Sequence, residues 1–117
     1  MIRYVCPGFV SWTANLAPDL SFALLEAADA CDFQRVREII SRTGRLYEFA
    51  TVCARNRGRD PWVLPGFTAG HIYVGILKAA LEIMGLAGGP VRGPGDDLTG
   101  EEKLSLREIL KDIGLLD

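Results

Sequence analysis

Apolar residues recur at helical spacing in several stretches of the chain and crowd together at strand-like density in one. Leu20, Ala23, Leu24, Ala27 and Ala28 lie three and four residues apart, which predicts a helix ending near Ala30. Pro18 stands near its first turn, where a missing N–H costs nothing. Asp32 is placed to cap a second helix whose apolar face runs through Phe33, Val36, Ile40, Tyr47 and Ala50, with Arg35, Arg37, Glu38 and Arg42 elsewhere on the cylinder. Gly44 weakens its middle by up to about 1 kcal/mol relative to alanine. A third helix is expected over 71–84. Besides Tyr73, Ile76, Leu77, Ala80 and Met84 it carries Ile72, Val74, Ala79 and Leu81, so it is apolar nearly all round and should pack on several sides. Thr99-Gly100-Glu101-Glu102 has the capping-box pattern. The helix it opens places Leu106, Ile109, Leu110 and Ile113 on one face, and Gly114 is positioned to end it.

Residues 4–13 (YVCPGFVSWT) are rich in aromatic and β-branched side chains, which predicts a short buried strand over 9–12. A single strand cannot satisfy its own backbone donors and acceptors, so it has to pair with strands this sequence does not supply. The stretches 55–70 and 85–97 are dense in Gly and Pro and read as irregular connections. The expected fold is therefore mainly α with one short N-terminal strand, in a single partial domain.

A hydrophobic content of 49% is ample for a core in a chain of 117 residues. Thirteen basic and fifteen acidic residues give a net charge of −2 without like-charge runs, which removes the electrostatic footprint expected of a nucleic-acid or anionic-membrane partner. No apolar run approaches the roughly 20 residues a bilayer span needs, and Arg3 is followed too soon by Pro7 and Gly8 for a signal peptide. A cytoplasmic location is expected. Cys6, Cys31 and Cys53 are widely spaced and share the chain with one histidine, so neither a metal nor a cofactor is expected.

Three stretches, in order, carry a family resemblance. Gly8-Phe9-Val10-Ser11-Trp12-Thr13-Ala14-Asn15, with Pro18 behind, resembles the eighth barrel strand and the start of the eighth helix in the dihydrodipicolinate synthase / N-acetylneuraminate lyase family. Ile76-Leu77-Lys78-Ala79-Ala80 with Gly85 resembles the Lys-Ala helix of that family's C-terminal extension, and Gly89-Pro90-Val91-Arg92-Gly93-Pro94 resembles its Pro-Arg loop. Gly-Pro-Val-Arg followed by Asp97-Leu98-Thr99 and Glu101, together with Arg55-Asn56-Arg57, is similar to the 5-dehydro-4-deoxyglucarate dehydratase branch, from which 60–68 departs by being longer. The resemblance implies the C-terminal end of a (β/α)8 TIM barrel, with the last barrel strand and helix in 1–30 and the helical extension in 31–117.

It also implies a class I mechanism, in which a lysine amine forms a Schiff base with a 2-keto acid. The family's lysine, its proton-shuttling tyrosine and its carboxylate-binding motif lie earlier in the barrel, so no catalytic residue is assigned in this chain. Val10 and Ser11 match positions that line the substrate at the C-terminal end of the barrel strands; their other reading is barrel-core packing. The expected partners are a complementary barrel chain or a second copy, with a small 2-keto acid bound only if the barrel is completed.

Other polar residues invite chemistry and have plainer readings. Lys78, between Ile76, Leu77 and Leu81, could be a desolvated nucleophile, but it matches a family lysine outside the active site and reads as structural. His71 has no carboxylate spaced to orient it and reads as an ordinary surface or packing histidine. Arg92 could bind a carboxylate, or could tie its loop to neighbouring helices. Arg55, Arg57 and Arg59 could grip an anion, or pair internally with Asp60 and Glu48. Cys31 and Cys53 read as small core residues.

Overall fold

The computed structural model describes residues 8–58, 72–93 and 95–117. Pro18 occupies the first turn of helix α1 (Pro18–Asp29), and Ala30 closes it, as the spacing predicts. Asp32 caps α2 (Phe33–Asn56) by accepting the Arg35 N–H at 3.0 Å. Helix α3 covers Ile72–Ile83 and α4 covers Gly100–Asp112. His71 and most of the predicted connection over 55–70 lie outside the described residues.

The expected N-terminal strand is not there. Residues 8–11 form no regular element and Trp12–Asn15 is a 3-10 helix; among the described residues there is no strand. Ser11 does have extended geometry, at φ −140° and ψ 130°. Extended backbone becomes a strand only through a ladder with another one, and the described residues offer no second extended segment to pair with it. Residues 4–7 lie outside the described set.

The chain divides into two compact units, Met1–Gly44 and Arg45–Asp117, with α2 contributing to both. In the first, Thr13, Leu16, Ala17, Ala27 and Ile39 are buried, and the 3-10 helix packs on α1. In the second, Leu46, Cys53, Ile76, Ala80, Leu106, Leu110 and Ile113 form the core, and α3 packs on α4. Arg45 reaches Asp112 at 2.8 Å and Arg57 reaches Glu102, so the part of α2 in this unit runs antiparallel to α4.

The buried face of α2 differs from the expected one. Ile39, Leu46, Phe49, Cys53 and Ala54 are buried, whereas Phe33, Ile40 and Tyr47 are exposed. Apolar residues cover more than half of this cylinder, so periodicity alone offers two adjacent stripes and tertiary packing selects one. The helix also continues past Gly44 and Ala50 to Asn56.

Every helix ends in a tight backbone turn. At α1, α3 and α4 the two hydrogen bonds of a Schellman motif are made: Asp32 to Ala27 and Cys31 to Ala28, Leu86 to Leu81 and Gly85 to Glu82, Leu115 to Leu110 and Gly114 to Lys111. The residue after the C-cap has φ of +83° at Gly85, +78° at Gly114 and, closing α2, +66° at Gly58. At α1 the same place is held by Cys31, at φ +57°. A Cβ in this conformation costs roughly 1–2 kcal/mol, and glycine returns part of that gain as unfolded-state entropy. Cys31→Gly is therefore expected to stabilise the chain by about 0.5–1 kcal/mol in urea unfolding, with Cys31→Ala giving no gain.

Candidate functional site

Three arrangements of polar or chemistry-bearing groups stand out. The first lies at the start of the chain. Gly8, Phe9, Ser11, Ala14, Pro18, Ser21, Phe22 and Leu25 line an open groove of about 410 Å³. Its walls are apolar, and the hydroxyls of Ser11 and Ser21 are its polar groups. Ser11 Oγ lies 2.7 Å from the Oγ1 of buried Thr13. Of the two residues expected to face a substrate, Ser11 lines this groove; Val10 is fully exposed and does not. Phe9 and Phe22 are about half and two-thirds exposed, so the groove is uncovered apolar surface.

The second arrangement joins the end of α2 to the start of α4. Thr99 and Glu102 form the predicted capping box: the Glu102 N–H donates to Thr99 Oγ1 at 3.2 Å, and the Thr99 N–H donates to Glu102 Oε2 at 2.9 Å. The same carboxylate accepts both terminal nitrogens of Arg57, at 2.5 and 2.7 Å. Arg57 also donates to the carbonyls of Cys53 and Asp97, at 3.0 and 3.2 Å, and lies 3.8 Å from the Asp96 carboxylate. The arginine thus satisfies a carbonyl in the last turn of α2, which it directly follows, and clamps the loop ahead of α4.

The electrostatics of this cluster are structural in character. The Arg57 hydrogen bonds hold the Glu102 carboxyl down at about 2, against the opposing effect of burial. Glu102 in turn raises the Arg57 pKa. The Cys53 thiol, fully buried, is pushed up to about 12 by burial first and then by the Glu102 charge. A thiol so held is neither exposed nor ionised at neutral pH and is no nucleophile. The expected pairing of the arginines with Asp60 and Glu48 is corrected for Arg57, whose partners are Glu102 and Asp96. Arg59 and Asp60 lie outside the described residues.

The third arrangement fixes the Pro-Arg loop. Lys78 Nζ donates to the Pro90 carbonyl at 2.7 Å, the Gly89 N–H to Glu82 Oε1 at 3.1 Å, and the Val91 N–H to Asp97 Oδ1 at 2.9 Å. Lys78 is therefore a loop clamp, in line with its structural reading. Arg92 is exposed, and its guanidinium makes no hydrogen bond or ion pair with a described residue. The tie that could have been Arg92's is made by Lys78, because Lys78 sits on the helix the loop folds over. Among the described residues no group of three His, Cys, Asp or Glu side chains could hold a metal ion, and no helix is long and apolar enough to cross a membrane.

No protein-family model matches the chain, and no solved structure matches it significantly. Curated relatives named as DapA-like lyases and 4-hydroxy-tetrahydrodipicolinate synthases do match, over nearly the whole of this chain, and the chain is similar to their C-terminal third. An uncharacterized DapA-like lyase of Halobacterium salinarum is 33% identical over 111 residues, which are 95% of this chain and 31% of that protein. The 4-hydroxy-tetrahydrodipicolinate synthases of Methanopyrus kandleri and Archaeoglobus fulgidus are 32% and 29% identical over 109 residues, 93% of this chain and 30% and 32% of theirs. The chain thus spans about a third of the length of the curated relatives it matches.

Proposed function

We propose that the chain is the C-terminal part of a class I 2-keto acid aldolase or dehydratase and is catalytically silent by itself. The observation that carries this reading is the coverage: nearly all of the chain corresponds to less than a third of its lyase relatives. The engaged state of Lys78 supports it, since an ammonium committed to the Pro90 carbonyl is poorly placed to attack a carbonyl carbon. The Schiff-base lysine belongs to the remainder of the barrel, which the residues of this sequence do not include. Ser11, and Val10 beside it, contribute to the pocket only when that remainder covers the groove. The 5-dehydro-4-deoxyglucarate dehydratase branch is the substrate class that the Arg55-Asn56-Arg57 and Gly-Pro-Val-Arg stretches favour.

Borohydride treatment in the presence of pyruvate tests the reading. The chain alone is expected to gain no adduct mass, whereas co-production with the first two-thirds of the Halobacterium salinarum relative is expected to yield a pyruvate adduct on a lysine of that relative. An adduct on Lys78 of the isolated chain would overturn it.

A second reading, a non-enzymatic helical module that associates through its surface, is favoured by the uncovered residues Phe9, Val10, Phe22 and Leu25. The strand expected over 9–12 is absent from the described residues, so in this reading the apolar face, and not a strand edge, carries the association. On a sizing column the isolated chain is expected to elute above its monomer mass, and Phe22→Ser with Leu25→Ser is expected to restore the monomer. A defined dimer favours the module and polydisperse aggregate the fragment. A monodisperse monomer at high concentration would count against association altogether.

A further inference from the structure

We draw no further inference here: the strongest candidate, the uncharged and partly exposed strip of Tyr73, Leu77 and Leu81 along α3, is an apolar face with nothing in the structure to show what covers it.

Discussion

Arg57→Ala is expected to lower the unfolding free energy by up to about 3 kcal/mol at pH 7. The figure is an upper bound set by Glu102, whose carboxyl is held at about 2 against an ordinary 4.5, with the Arg57 hydrogen bonds the largest cause and the Thr99 N–H and Cys53 adding to it. Both partners are largely shielded, with 16% and 12% of their side-chain surfaces exposed, so solvent screening removes only part of the interaction. Removing the guanidinium also leaves the Cys53 and Asp97 carbonyls without that donor, while the capping box still holds Glu102 at the N-terminus of α4. A depressed carboxyl contributes stability that is fully present above its unfolded pKa and lost as pH falls through the folded one. The native chain should therefore lose stability between about pH 4.5 and pH 2, and the variant should lose much less over that interval. Arg57→Lys keeps a charge but not the two-nitrogen fork, and should recover only part of the loss. Urea unfolding followed by far-UV circular dichroism from pH 2.5 to 7 measures both effects. A change below about 0.5 kcal/mol with an unaltered acid limb would reduce the pair to an ordinary surface contact.

This junction also marks where the sequence stops being legible. The capping box at Thr99 and Glu102, the cap at Asp32, Pro18 in the first turn of α1 and the closing Gly114 are local patterns, each settled by residues three to six positions apart. All are present as expected. The partner of Arg57 is 45 residues away, and nothing in a single sequence distinguishes Glu102 from the other acidic residues as its acceptor. The buried face of α2 failed for a related reason. Two apolar stripes compete on that cylinder, and packing decides between them through contacts that are distant in sequence. The strand over 9–12 failed because a strand is a property of a pair, and composition describes only one member. The family resemblance succeeded on ordered motifs, yet one of them carries a different load than expected, since Lys78 rather than Arg92 holds the Pro-Arg loop in place.

The tightness of that loop leads to a second large expected effect, at Gly88. A Cβ added there would stand 2.1 Å from the Lys78 carbonyl oxygen and 2.9 Å from both the Lys78 carbonyl carbon and the Glu82 Cγ. Two of those three atoms are helix backbone and cannot rotate away, so the loop itself has to lift off α3. Its displacement would strain the Lys78 bond to the Pro90 carbonyl and the Gly89 bond to Glu82, which hold the same segment from either side. Gly88→Ala is expected to destabilise the chain by about 2–3 kcal/mol, at the upper end of what overpacking costs. Gly75→Ala should behave similarly from the helix side, because its Cβ would meet the Asp96 carbonyl oxygen at 2.5 Å. Gly93 is the control within the same loop: it has no atom within 4 Å of a built Cβ, and Gly93→Ala should change stability by less than about 0.5 kcal/mol. Equal effects at Gly88 and Gly93 in parallel urea titrations would mean that the loop is not seated on α3. A large loss at Gly88 and Gly75 alone would establish that the Gly/Pro composition of this loop is set by how closely its backbone approaches the helix.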